Sequence, residues 1–195
     1  MPNLSSKTTE MKSSPTHLKL LRLILISSSC LLFQCSGSQH EQNSPELSPK
    51  EQLGKLLFFD ESLSTPEGQS CATCHDPAVA FADPVTELPV SRGAVHGMYG
   101  NRNDMPVSYS MYVPPLHYDS AEEVWVGGLF WDGRANTLTE QAMAPPLNPL
   151  EMANKDTLAM AEKVRSLEYA DQFEAIYGTA ALNEPDSAFF YMADA

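Results

Sequence analysis

Residues 68–83 read GQSCATCHDPAVAFAD. Cys71 and Cys74 stand three residues apart, and His75 follows directly. Such a stretch grips a metal, closes a disulfide or carries a haem, and the choice decides the fold. A disulfide across three residues closes a very small loop and adds little entropic stabilisation. A thioredoxin-type site calls for a strand before the motif. Ser64 to Ser70 is polar instead and contains Pro66 and Gly68. A structural zinc site needs four ligands, and no second cysteine pair is available once the leader cysteines are set aside. Covalent haem needs only this pentapeptide: the two sulfurs bond the vinyl groups and the adjacent imidazole binds the iron. Haem c is the expectation.

The rest of the chain is consistent with an exported haem protein. Its 195 residues suffice for one moderate domain plus appendages. The formal charge of −13 argues against nucleic acid as a partner. No run is long and apolar enough for an ordinary spanning helix. Residues 1–35 read as a targeting segment, with Lys7, Lys12, Lys19 and Arg22 before the short apolar run Leu23–Phe33. Cys35, followed by Ser36, Gly37 and Ser38, resembles the lipidated residue of a bacterial lipoprotein signal; ordinary signal cleavage nearby is the alternative. Cys30 leaves with the leader. Either way the mature protein is expected in the periplasm or attached to the envelope, with membrane contact only through Cys35.

Residues 36–50 form a polar tether, and the domain proper spans 51–195. Ser48 caps a helix that runs to about Phe59, its face marked by Leu53, Leu56 and Leu57. A short helix starts near Ser70. Residues 84–130 lack a sustained period and read as mostly loop, a length that signals function in a compact domain. Thr137-Leu-Thr-Glu140 is a capping-box pattern, so a helix is expected over about 138–144, stopped by Pro145 and Pro146. Asp156 caps a helix to about Leu167. Another covers Glu168–Tyr177 and closes at Gly178. Pro185 opens the last one. No strand pattern stands out. The class is mainly α. The final residues MADA (192–195) interrupt an apolar helical pattern without a cap, as in a truncated product.

Six stretches occur in one order: LGKLLFFDESLS (53–64), SCATCHDPAVAFAD (70–83), LPVSRGAVHG (88–97), RNDMP (102–106), FWDGRANTLTEQA (130–142) and NPLEM (148–152). Together they resemble the N-terminal half of the bacterial dihaem cytochrome c peroxidases, a family that includes the methylamine-utilisation haem enzymes. The resemblance implies the first of two cytochrome c-like domains, with long loops. No second Cys-x-x-Cys-His follows, so the second haem domain is expected elsewhere, in a longer protein or an assembly.

The resemblance also implies roles. Cys71 and Cys74 form the thioethers and His75 is the proximal iron ligand. His96 is the removable distal ligand, with Met98 and His117 as competitors. Glu151 is the acid–base group for O–O cleavage and Gln141 orients the peroxide. A carboxylate in an apolar pocket has its pKa raised into a useful range. Trp131 helps electrons pass between the two haems, or is a core aromatic. Asn103 helps hold calcium at the domain interface. Asp132 and Arg134 pair with each other or with propionates. The implied reaction is reduction of hydrogen peroxide with electrons from a small cytochrome c or a cupredoxin, and a homodimer is one expected assembly. The alternatives are a relative that oxidises a protein or organic substrate, and a monohaem electron carrier that is no enzyme.

Overall fold

The computed structural model describes residues 46–195. The targeting segment, Cys35 and most of the tether lie outside the described residues. Within 46–195 the protein is mainly helical. The order is α1 (Pro49–Phe59), α2 (Cys71–Cys74), β1 (His117–Asp119), β2 (Val124–Val126), α3 (Leu138–Ala142), α4 (Ala144–Leu147), α5 (Thr157–Ser166), α6 (Asp171–Tyr177) and α7 (Pro185–Asp194), with short 3-10 turns at Glu61–Leu63, Pro77–Val79 and Ser110–Tyr112. No described helix is long and apolar enough to cross a membrane.

The helix starts follow capping chemistry. The Ser48 hydroxyl accepts from the Glu51 N–H, and the Glu51 carboxylate accepts in return from the Ser48 N–H at 2.7 Å. Two orphan donors of the first turn of α1 are thereby satisfied. Asp156 accepts from the Ala159 N–H at 2.9 Å and starts α5. At α3 the box is only half made. Thr137 accepts from the Glu140 N–H, but the Glu140 carboxylate reaches past it to the Asn136 N–H at 2.7 Å.

The core lies between α1, α5, α6 and α7. Leu53 and Leu57 meet Met160, Ala161, Val164, Phe173, Ala188 and Phe189, with Leu63 and Met152 closing one side. Each large side chain so buried stabilises the fold by roughly 1.5–3 kcal/mol. α5 packs chiefly on α7, α3 also rests on α7, and α1 carries α2 on its flank. The motif helix therefore stands on the core through α1.

Asn154, 3 % exposed, clips two distant segments together. Its amide donates to the carbonyls of Leu63 and Pro146 at 2.8 and 2.9 Å, and its Oδ1 accepts from the Thr65 hydroxyl at 2.7 Å. Thr65 also donates its N–H to the Met152 carbonyl at 2.8 Å. Residues 148–152 are thus fixed beside the segment leading into the cysteine motif.

Two expectations need correction. Pro145 and Pro146 do not end a helix; they open α4, where their missing N–H groups cost nothing in the first turn. The preceding helix stops at Ala142. The expected lack of strands also fails, because within the mostly loop region 84–130 β1 and β2 form an antiparallel pair with Tyr118 opposite Trp125. The two rings meet edge to face at 5.6 Å.

Candidate haem and acid–base site

The motif forms a single helical turn. The Thr73 hydroxyl accepts from the Ser70 N–H at 2.9 Å, and the His75 N–H bonds to the Cys71 carbonyl at 2.9 Å. One turn brings Cys71 and Cys74 to the same side. They are not joined as a disulfide. Burial pushes the Cys71 thiol up to about 11. Burial, then the charge of Asp104, pushes Cys74 up to about 12, with Asp83 adding to it. A reactive redox cysteine needs the opposite, a depressed pKa next to positive charge. This chemistry argues against a thioredoxin-like site.

Beyond α2 the chain turns back on itself. Asp76 caps the Pro77–Val79 turn through the Ala78 N–H at 2.8 Å, and its carbonyl accepts from the Phe81 N–H at 2.8 Å. Ala80 and Phe81 are both left-handed, with φ of 61° and 60°. Such residues cost about 1–2 kcal/mol each, and strain of this kind gathers at functional sites. The result is a placed carbonyl: His75 Nδ1 lies 3.3 Å from the Phe81 oxygen. A carbonyl only accepts, so Nδ1 carries the proton and Nε2 keeps its lone pair. That is the tautomer an iron ligand needs, and a bond at the second nitrogen also fixes the ring.

Cys71 borders an apolar cavity of about 370 Å³ together with Leu57, Phe58, Leu63, Pro146, Met152 and Met160. Two free sulfurs, one oriented imidazole and an apolar hollow against one of the sulfurs are what a covalently held porphyrin requires. The residues fit haem c. A hollow of about 440 Å³ between α5 and α6, beside Arg165 and Glu174, contains none of these groups.

Behind Cys74 sits a polar cluster. Gln69, 5 % exposed, donates from Nε2 to the Arg92 carbonyl at 2.6 Å and lies 3.5 Å from the Cys74 sulfur. Its Oε1 is buried without a partner. The Ser91 hydroxyl contacts the carboxylates of both Asp83 and Asp104.

Ser91 also begins the segment that carries His96. Gly100 donates to the Ser91 carbonyl and Gly93 to the Met98 carbonyl, both at 2.9 Å, and Arg92 pairs with Tyr99. A turn closed by Met98 N–H on the Val95 carbonyl crowns this stem, with Gly97 at φ +81° where a type II turn demands it. His96 stands exposed at the tip. The stem is anchored to the acid–base segment: the Ala94 N–H donates to the Glu151 carbonyl at 2.8 Å.

Glu151 is half-buried, and burial raises its pKa; the charge of Asp104 adds to this, while the Asn148 amide and the Arg134 charge oppose it. Asp104 therefore acts on both Cys74 and Glu151, which brings the two into one neighbourhood. Gln141 is partly buried on α3. Its neighbour Ala142, like Met152 beside Glu151, borders the apolar cavity, whereas Gln141 and Glu151 do not.

The remaining expected residues lie on the exposed FWDGR loop. Trp131 is not a core aromatic: it is 61 % exposed, and its indole N–H donates to the Asn103 carbonyl at 2.6 Å. The Asn103 side chain donates to the Pro89 carbonyl at 3.2 Å. Asp132 pairs with Arg134 at 2.8 Å and Arg102 at 3.1 Å, and the Arg134 bond is the main cause that holds its carboxyl below the usual range. Arg134 also covers the Phe130 ring at 3.5 Å. His117 bonds to the Pro115 carbonyl on β1, and Met98 is exposed. Among the described residues, no three His, Cys, Asp or Glu side chains gather as a metal cluster.

Sequence reasoning passed over Gln69, Asp83, Ser91, Asp104 and Asn148. All five flank or fall inside recognised stretches; Gln69, Asp83, Ser91 and Asp104 find partners in other loops, and Asn148 finds its partners within its own turn.

A family model described as di-haem cytochrome c peroxidase matches residues 48–195. The chain is 42 % identical over 180 residues to the methylamine utilization protein MauG of Paracoccus denitrificans, covering 90 % of this chain and 46 % of that protein. It is 32 % identical over 139 residues to cytochrome c551 peroxidase of Pseudomonas aeruginosa, covering 71 % of this chain and 35 % of that protein. The diheme peroxidase BthA from Burkholderia thailandensis superposes with a TM-score of 0.69 at 32 % identity, over 76 % of this chain and 40 % of that chain. The chain spans less than half the length of each of these relatives.

Proposed function

Because this chain belongs to the di-haem cytochrome c peroxidase family, we propose that it is the peroxide-cleaving half of such an enzyme. In this reading Cys71 and Cys74 hold haem c through thioethers and His75 ligates its iron through Nε2. When bound, the haem supplies an iron that binds peroxide and exchanges electrons with it. The overall reaction is H2O2 + 2 H⁺ + 2 e⁻ → 2 H2O. The electrons come from a small cytochrome c or a cupredoxin, by way of a second haem domain.

The chain's own residues manage the protons and access. Glu151 takes the proton from the near oxygen of peroxide and returns it to the far oxygen, which departs as water. Burial raises its pKa above the ordinary carboxylate value, the direction that favours return of the proton. Gln141 orients the peroxide by hydrogen bonds. His96, on its exposed turn, would control access to the position where the haem iron takes peroxide. Trp131 would help electrons pass from the second haem domain into this one. Asn103 offers its Oδ1 to calcium, a cation that favours oxygen ligands. The protein works in the periplasm or tethered to the envelope through Cys35, alone or as a homodimer.

The observation that carries this reading is the His75–Phe81 contact, which leaves Nε2 free beside two unpaired cysteines. The test is peroxide turnover with a reduced cytochrome c donor. Glu151→Gln is expected to slow it by about 10²–10⁴-fold with haem content unchanged. An unaltered rate would remove Glu151 from the chemistry.

A second reading, oxidation of a protein or organic substrate, has one observation in its favour: 42 % identity to the methylamine utilization protein against 32 % to the cytochrome c551 peroxidase. Rapid peroxide turnover with a small donor separates the two.

A further inference from the structure

Building on the reading of Glu151 as the acid–base group, we propose that Asn148 is a positioning residue that confines the exchangeable proton of Glu151 to one oxygen, Oε2. Asn148 Nδ2 lies 2.6 Å from Glu151 Oε1. The orientation of the amide is set from its other end, because Asn148 Oδ1 accepts from the Leu150 N–H at 3.0 Å. A flipped amide would set hydrogens against that N–H and a second acceptor against the carboxylate. Nδ2 therefore faces Glu151, and an amide nitrogen donates only. A proton on Oε1 would oppose the amide hydrogen, so when Glu151 is protonated the proton is on Oε2.

The same residue fixes the backbone. The Asn148 carbonyl accepts from the Glu151 N–H at 3.0 Å and the Ala153 N–H at 2.9 Å, with Ala153 left-handed at φ 56°. Backbone and side chain of Glu151 are both held by Asn148, and Pro149 stiffens the link between them. The arrangement makes Glu151 a carboxyl with one permanent acceptor and one working oxygen. A proton held on one oxygen is fixed in position for transfer. The charged groups that act on Glu151 are Asp104, which favours its neutral form, and Arg134, which favours its carboxylate. Asn148 works with Arg134 against burial.

The test is infrared difference spectroscopy of the haem-loaded full-length protein across pH, with the Glu151 band identified by its loss in Glu151→Gln. In the parent the C=O of protonated Glu151 is Oε1, bonded to Asn148. Asn148→Ala should move that band to higher wavenumber and raise the titration midpoint by about 1–2 pH units, the size of one lost hydrogen bond to a charged group. Asn148→Asp should raise the midpoint at least as far. Asn148→Ser keeps an acceptor for Leu150 and loses the reach to Glu151, and is read in the same way if the alanine variant does not fold. A band and midpoint unchanged in a folded variant would overturn the proposal. Its failure is separate from that of the functional reading, which is tested by the turnover rate of Glu151→Gln.

Discussion

Gly93 approaches Leu150 so closely that a Cβ on Gly93 would come within 2.4 Å of the Leu150 carbonyl oxygen. The stem that carries His96 and the segment that carries Glu151 are therefore in backbone contact, and the Ala94–Glu151 hydrogen bond lies next to it. Neither partner in the clash is a movable side-chain tip.

Gly93→Ala should accordingly destabilise the protein by about 1–3 kcal/mol, the usual cost of overpacking. It should also slow peroxide turnover, because the stem and Glu151 must separate. Chemical denaturation and turnover measured on one preparation check both. Full stability with full turnover would show that the contact is not needed.

The distal role of His96 predicts a spectroscopic change. Its turn is exposed and held by Gly97, so the ring can be removed without disturbing the core. If His96 holds the sixth iron position as proposed, His96→Gly should shift the haem spectrum from low spin to high spin and admit small ligands. His117→Gly, altering an exposed residue of β1, should leave the spectrum as it was.

Asp60 ties the end of α1 to the segment before α6. Its carboxylate accepts from the Ser62 N–H at 2.8 Å, the Ser62 hydroxyl at 2.6 Å and the Tyr169 hydroxyl at 2.6 Å. Burial works to raise its pKa, but the bonds from Ser62 and Tyr169 and the charge of Lys163 outweigh it and hold the carboxyl below its ordinary 3.8. A depressed carboxyl contributes stability that is present above the unfolded pKa and lost as pH falls through the folded one. Tyr169→Phe should therefore cost about 1 kcal/mol at pH 7. The difference from the parent should narrow below about pH 4. Denaturant midpoints at pH 7 and pH 3 give the comparison.

Much of the helical frame was legible because its signals are local. Ser48 announces α1, Asp156 announces α5, and Leu53 and Leu57 mark the buried face. Pro145 and Pro146 misled because a proline pair that stops one helix is equally suited to start the next, and only the neighbouring chain decides. The β1–β2 hairpin was missed because its strands are three residues long and largely exposed, so no alternation of burial marks them.

The site divides along the same line. Cys71, Cys74 and His75 are contiguous, and their chemistry follows from the pentapeptide. The tautomer of His75 does not, since it depends on two left-handed residues that deliver the Phe81 carbonyl. The Asp83–Ser91–Asp104 cluster joins three loops whose spacing carries no period, and the hold of Asn148 on Glu151 is visible only once the turn is folded.

The central claim is that a haem is bonded to Cys71 and Cys74. Peptide mass spectrometry on protein matured in cells that assemble c-type cytochromes tests it most directly. The peptide containing residues 71–75 should carry one haem through two thioethers, and Cys71→Ala or Cys74→Ala should leave a single attachment. Unmodified thiols at both positions, or a disulfide between them, would contradict the account.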